Sequence, residues 1–84
     1  MEDFLEFFDQ LTEGFPLHME IYHSKVLDWC IVITKKGCAE DYPTAEHDGT
    51  DVVLVEVQHI DMKYCFAKAH VDLKEWLMEY NGGY

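Results

Sequence analysis

An apolar repeat with helical spacing runs through the last quarter of the chain, and it constrains the fold more than any other feature. Its members recur at intervals of three or four residues, so they share one face of a helix of about five turns. They are Met62, Phe66, Ala69, Leu73, Trp76, Leu77 and Tyr80. Asp61 precedes the repeat in the position of an N-cap, and Asn81-Gly82-Gly83 follows it as a helix end. The pattern predicts a C-terminal helix with one buried face.

A second apolar pattern predicts a helix over residues 2–13. Its apolar residues occupy positions i, i+1, i+4 and i+7, and they are Phe4, Leu5, Phe8 and Leu11. Gly14 suits the residue that follows a helix, and Pro16 cannot continue one. We therefore expect an N-terminal helix that ends at Gly14 and buries this apolar face.

Three segments between the helices have patterns typical of β-strands, either an alternation of polarity or a run rich in β-branched residues. They are residues 17–23, 27–34 and 52–59. The segment 27–34 is apolar on both faces, as expected for the central strand of a sheet. In the last segment, Val53, Val55 and Val57 are predicted to share one face. Residues 38–51 have almost nothing to bury and predict a loop of about fourteen residues.

These elements predict an α+β domain of order α-β-β-β-α. In it, an N-terminal helix and a C-terminal helix cover one face of a three-stranded antiparallel sheet. The whole chain, residues 1–84, is expected to form this single domain. A domain of this length buries roughly 60% of the surface of its unfolded chain. Because its core is thin, we expect no deep substrate cavity.

The chain is strongly acidic, with 17 Asp and Glu residues against six Lys and no Arg, a formal net charge of −11. Phosphates would be repelled, so nucleic acid and anionic membranes are poor candidates for direct partners. The start Met1-Glu2-Asp3 lacks the basic residues of a signal peptide, and the apolar runs are too short to span a membrane. Three cysteines, an odd number, do not suggest a disulfide framework. These features predict a reduced, cytoplasmic protein.

Catalytic and metal-binding patterns are weak in this sequence. The histidines and cysteines lack the CxxC, HxxxH and HExxH spacings of common metal sites. Cys30 and Cys65 fall within apolar patterns, where a thiol behaves as a small hydrophobic group. We therefore predict no catalytic residue, no cofactor and no metal ion. A cysteine or metal enzyme that uses Cys38, His47 and Asp48 stays open as an alternative.

The distribution of acidic residues is the most informative feature for function. One group, the helix stripe, lies opposite the apolar face of the predicted N-terminal helix and comprises Glu2, Glu6, Asp9 and Glu13. A second group, the loop acids, comprises Glu40, Asp41, Glu46, Asp48 and Asp51. The stripe places a carboxylate about every 5.5 Å, whereas one DNA strand places a phosphate about every 3.4 Å. Tyr22, Tyr42, Tyr80 and Tyr84 are predicted to be exposed, and tyrosine is favoured at interfaces.

Two interpretations of this acidity stay open. In the first, the carboxylates are a solvated surface that serves only solubility. In the second, they compete for a cationic groove that normally holds nucleic acid, and their binding is sensitive to salt.

Two families share features with this chain. The element order resembles that of a double-stranded-RNA-binding domain, and Lys63 to Ala69 resembles the start of that family's last helix. The basic pair of that helix is missing, so only the element order is implied. In size, acidity and element order the chain also resembles the small anti-CRISPR inhibitors of phages and mobile elements. Several of those inhibitors mimic nucleic acid in the cleft of a Cas nuclease.

On the hypothesis of a nucleic-acid mimic, the helix stripe and the loop acids act as phosphate surrogates that face arginine and lysine side chains of a nuclease. Tyr42 is predicted to belong to the same partner-binding surface. The sequence thus predicts a non-enzymatic, cytoplasmic protein that binds a basic, nucleic-acid-binding protein. The alternative is a structural or regulatory interaction module for another partner, including a homodimer through the free edge of the first or third strand. Monomer and homodimer both stay open.

Overall fold

The computed structural model describes residues 2–14, 17–23, 28–37 and 39–83. The α+β class, the two terminal helices and the antiparallel sheet are confirmed. In chain order the elements are α1 (Glu2–Thr12), β1 (His18–His23), β2 (Trp29–Lys35), a 3-10 helix (Ala39–Asp41), β3 (His47–Asp48), β4 (Asp51–His59) and α2 (Met62–Tyr80). Over these described ranges the sheet has four strands in the order β1-β2-β4-β3, so the prediction of three strands is wrong.

The additional strand, β3, lies inside the segment that was predicted to be a loop. His47 pairs with Val52, and Asp48 pairs with Asp51, so β3 and β4 form a tight hairpin. Gly49 occupies the turn with φ 66°, the left-handed conformation that two-residue hairpin turns require. Because β3 has only two residues, it shows no alternation of polarity by which a sequence could reveal it.

A β-bulge in β4 changes which side chains face the core. Ile33 of β2 pairs with Val55, but the next residue, Thr34, pairs with Val53, so Leu54 is an extra residue in β4. Such an insertion exchanges the two faces of a strand on one side of the bulge. Val53 therefore shares the face of Thr34, and the prediction that the three valines share one face is wrong.

The C-terminal helix α2 confirms the predicted bounds and the predicted buried face. The Asp61 carboxylate accepts hydrogen bonds from the backbone N–H of Lys63 at 2.9 Å and of Tyr64 at 3.4 Å. At the other end, the N–H of Asn81 donates to the carbonyl of Leu77 at 2.9 Å. The buried side chains belong to one core with β2 and β4, and they are Cys65, Phe66, Ala69, Leu73, Trp76 and Leu77.

Fewer buried side chains attach the N-terminal helix α1 to the core than attach α2. Phe4 is its one fully buried side chain, and the rings of Phe4 and Phe66 meet edge to face with centroids 5.8 Å apart. Phe7 also packs against the core, whereas Leu5, which was predicted on the inner face, is 40% exposed. The stability of α1 in its place therefore depends chiefly on the aromatic contact that Phe4 makes with α2.

His70 lies at this contact between the two helices. Its ring centroid is 5.8 Å from that of Phe4 and 5.2 Å from that of Phe7. Its Nε2 atom is buried and has no hydrogen-bond partner in the described part of the chain. Burial is the largest cause that lowers the pKa of His70, and the charge of Lys74 is the second. The Asp3 carboxylate raises this pKa. The folded protein thus favours the neutral imidazole.

We expect the contribution of His70 to folding stability to decrease as the pH falls below about 6.5, the ordinary pKa of histidine. In that range the unfolded chain takes up a proton at His70 that the folded chain excludes, so protonation favours unfolding. Above about pH 6.5 the folded and the unfolded chain both hold a neutral imidazole, so the contribution of His70 to folding stability is fully present. Urea midpoints between about pH 5.5 and 8 would be compared for the natural chain and His70→Phe, which share every other histidine. A difference between the two midpoints that does not change with pH would contradict the assignment.

Candidate functional site

The helix stripe lies on the exposed side of α1. Glu2, Glu6 and Asp9 are exposed, and no described residue forms an ion pair with them. Glu13 differs, because α1 ends at Thr12 and Glu13 belongs to the turn that follows it. The stripe therefore consists of three carboxylates on the helix and one beyond its end.

Four of the five loop acids are exposed, and the fifth is used within the fold. The exposed ones are Glu40 and Asp41 in the 3-10 helix, Glu46 before β3, and Asp48 in β3. The carboxylate of Asp51 accepts a hydrogen bond from the N–H of Gly37 at 2.9 Å and another from Nζ of Lys36 at 3.1 Å. These two donors lower the pKa of Asp51, Gly37 contributing more. Asp51 thus closes the base of the loop.

Tyr42 is half-buried and anchors the loop on α2. Its ring centroid lies 5.1 Å from that of Trp76 and 6.4 Å from that of Tyr80. Its hydroxyl oxygen accepts a hydrogen bond from Nζ of Lys35 at 3.1 Å. Ala45 packs against the same core. The segment between β2 and β3, predicted to bury almost nothing, therefore contributes two side chains to the core.

The other tyrosines fall into different environments. Tyr22 on β1 is 49% exposed, and a hydrogen bond with Cys30 is the main cause that raises its pKa. Tyr80 is half-buried, and its hydroxyl donates to the carbonyl of Thr44 at 3.3 Å. Tyr84 lies outside the described residues. Among the described tyrosines of this set, Tyr22 alone is exposed, as the sequence predicted.

The lysines do little to neutralise the exposed carboxylates. Nζ of Lys36 contacts Asp51, and Nζ of Lys68 contacts Asp72 at 2.6 Å. Lys35 contacts Tyr42, and Nζ of Lys74 lies 5.2 Å from the centroid of the Phe7 ring. Within the described ranges, no lysine forms an ion pair with the helix stripe or with the four exposed loop acids.

A second acidic surface, not anticipated from the sequence, lies between α2 and the outer edge of β4. The outer edge is the side of β4 that faces away from β2 and pairs in part with β3. It is a shallow cavity of about 290 Å³, and we call it the acidic groove. Five carboxylates and three apolar side chains line it, namely Glu46, Glu56, Asp72, Glu75 and Glu79 with Leu54, Val55 and Trp76. Asp72 is paired with Lys68 and raises the pKa of that lysine. The other four carboxylates have no ion-pair partner among the described residues.

Part of this groove could have been found in the sequence. Asp72, Glu75 and Glu79 occupy positions i, i+3 and i+7, so they share one face of α2. That Glu46 and Glu56 approach the same face depends on the position of β4 in the sheet, which the periodicity of the sequence does not reveal.

The alternative of a cysteine or metal enzyme would use Cys38, His47 and Asp48. Cys38 lies outside the described residues, and Nε2 of His47 lies 2.7 Å from the carbonyl oxygen of Tyr42. Searching the described residues for three or more clustered His, Cys, Asp or Glu side chains reveals no group that could hold a metal ion. No helix among the described residues has both the length and the apolar character needed to cross a membrane.

Comparisons of the chain with protein-family models, curated proteins and solved structures found no match.

Proposed function

We propose that this chain is a non-enzymatic, cytoplasmic binding protein that contacts a basic protein surface. In its most specific form it is an inhibitor, similar to the anti-CRISPR proteins, that occupies the nucleic-acid-binding cleft of a nuclease. One observation carries the proposal: the helix stripe and four loop acids are exposed and have no ion-pair partner among the described residues. Solvent-exposed carboxylates of this kind are available to a partner without first breaking a salt bridge to another described residue.

The electrostatic cost of this surface also supports the proposal. Glu2 and Glu6 are four residues apart on α1, and like charges at that spacing destabilise a helix by about 0.2–0.5 kcal/mol. A high net charge further destabilises the compact state of a domain with a thin core. Complementary arginine and lysine side chains would relieve this repulsion, and long-range attraction would accelerate association.

Charge reversal at the helix stripe tests the proposal. The immobilised chain would be used to capture proteins from a cell lysate, with and without double-stranded DNA or RNA as competitor. We expect the captured proteins to bind nucleic acid and to be displaced by it. Glu6→Lys/Asp9→Lys, and separately Asp41→Lys/Asp48→Lys, should weaken capture about tenfold or more while leaving thermal stability nearly unchanged.

The matched control reverses two exposed carboxylates that belong to neither acidic surface. Asp3→Lys/Glu20→Lys changes the net charge by the same amount, but both residues lie outside the helix stripe, the loop acids and the acidic groove. Equal loss of capture in all three variants would indicate a dependence on net charge, and unchanged capture in both test variants would refute the electrostatic proposal.

Recovery of the chain alone would instead favour the alternative of a homodimer. One observation is consistent with that alternative: Ile21 and Tyr22 are 39% and 49% exposed on β1, whose outer edge pairs with no described strand.

A further inference from the structure

The outer edge of β4 is only partly covered. β4 pairs with β2 along one side, but on the other side β3 pairs only with Asp51 and Val52. One further bond, from the N–H of Val53 to the carbonyl of Glu46 at 2.8 Å, ends this pairing. From residue 54 to residue 59 the outer edge has no strand partner in the described part of the chain. An unpaired edge offers backbone donors and acceptors to an incoming strand.

The path of the chain explains why this edge is left open. Before Glu46, Ala45 and Tyr42 turn away from the sheet to pack on the core, and Tyr42 contacts Trp76 of α2. The bulge at Leu54 then marks the point where pairing with β3 has ended. The hairpin therefore cannot extend along β4 without removing Tyr42 from its aromatic contacts.

The surroundings of the open edge are acidic. The acidic groove runs beside it, with Glu46 and Glu56 on the sheet and Asp72, Glu75 and Glu79 on α2. No lysine of the described residues lines the groove. Native edge strands are commonly protected by lysine or proline, but residues 54–59 of this edge contain neither.

We propose that the open edge of β4 binds an extended, lysine- or arginine-bearing segment of a partner protein, which adds to the sheet as a further strand. Backbone hydrogen bonds to residues 54–59 would supply affinity. Alternate side chains of the segment would point toward the α2 carboxylates and toward Glu56, which gives a preference for basic residues. The aliphatic stems of lysine or arginine would cover the apolar lining that Trp76, Leu54 and Val55 contribute.

Charge distinguishes this occupant from a second copy of the chain. A second β4 would bring its own Glu56 and the adjoining carboxylates to the same edge, and like charges that face each other across strands are destabilising. A basic segment makes the opposite pairing at every one of these positions. The surface shares only Glu46 with the helix stripe and the loop acids, so the inference goes beyond the proposed function and can fail independently of it.

The test uses a defined peptide probe. A fluorescent nine-residue peptide of alternating threonine and lysine would be titrated with the full chain at physiological ionic strength, where the Debye length is about 8 Å. We expect saturable binding and slower amide hydrogen exchange at residues 54–59. The same peptide with N-methyl groups on alternate backbone nitrogens keeps its charge but loses donors, and it should bind about tenfold more weakly or worse.

Variants of the chain locate the binding. Glu56→Lys and Glu75→Lys/Glu79→Lys should each weaken binding of the unmodified peptide. Asp3→Lys changes the net charge by the same amount as Glu56→Lys at an exposed residue outside the acidic groove, the helix stripe and the loop acids, and it should leave binding within about twofold. Equal binding of the N-methylated and unmodified peptides would mean attraction by charge only and would overturn the inference. Absence of binding, or binding that the groove variants leave intact, would overturn it as well. None of these outcomes changes the result of the capture experiment for the helix stripe.

Discussion

Replacing Phe4 by alanine is expected to lower the free energy of unfolding by about 3–5 kcal/mol. Phe4 is 1% exposed, and its ring contacts Phe66, Phe8 and His70. It is also the one fully buried side chain of α1. A helix of this length is marginal in isolation, so α1 depends on this contact for its position. Domains typically have only about 0.05–0.15 kcal/mol of stability per residue, so the loss would be a large part of the total.

Thermal and urea unfolding, followed by far-UV circular dichroism, would measure this effect. At about 4–8 °C per kcal/mol, the midpoint should fall by at least about 12 °C. Leu5→Ala is the matched control, because it removes an aliphatic side chain from the neighbouring position that is 40% exposed. We expect that control to cost less than about 1 kcal/mol. Similar midpoints for the two variants would mean that α1 does not pack through Phe4.

The elements that could be predicted from the sequence are those whose burial is regular. α2 repeats an apolar residue every three or four positions, and Asp61 marks its start, so both its bounds and its buried face follow from the pattern. β2 is apolar on both faces, and it lies between β1 and β4 as a central strand. In these two elements the local pattern and the tertiary packing require the same residues to be buried. β1 alternates in polarity, and its register brings Met19 opposite Ile33 and Ile21 opposite Ile31, but β1 is an edge strand and Ile21 is 39% exposed.

The remaining features depend on contacts between distant segments. β3 is too short for a periodic pattern, and the bulge at Leu54 exchanges the faces of β4 without any change in residue type. Tyr42 looks like a loop residue in the sequence, but it is half-buried because α2 presents Trp76 and Tyr80 beside it. The acidic groove arises in the same way, from the approach of α2 to one edge of the sheet. The exposure of the helix stripe, in contrast, follows from its position opposite Phe4 on one helix.

Replacing Tyr42 by alanine is expected to lower the free energy of unfolding by about 2–3 kcal/mol. The substitution removes aromatic contacts with Trp76 and Tyr80 and the hydrogen bond from Lys35. Its effect should be local as well as global. Amide hydrogen exchange should accelerate at Ala45, whose N–H donates to the carbonyl of residue 42 at 3.1 Å, while residues of β2 keep most of their relative protection.

Tyr42→Phe separates the two roles that this residue could have. It keeps the ring contacts and removes only the hydroxyl, so we expect it to cost about 0.5–1.5 kcal/mol and to leave exchange at Ala45 nearly unchanged. If Tyr42 acts mainly as an anchor, Tyr42→Ala weakens partner capture because Glu40 and Asp41 lose their fixed position, and Tyr42→Phe does not. If the hydroxyl contacts the partner, both substitutions weaken capture although only one loosens the loop. Stability and capture measured on the same two variants therefore decide whether Tyr42 belongs to the interface or supports the carboxylates that form it.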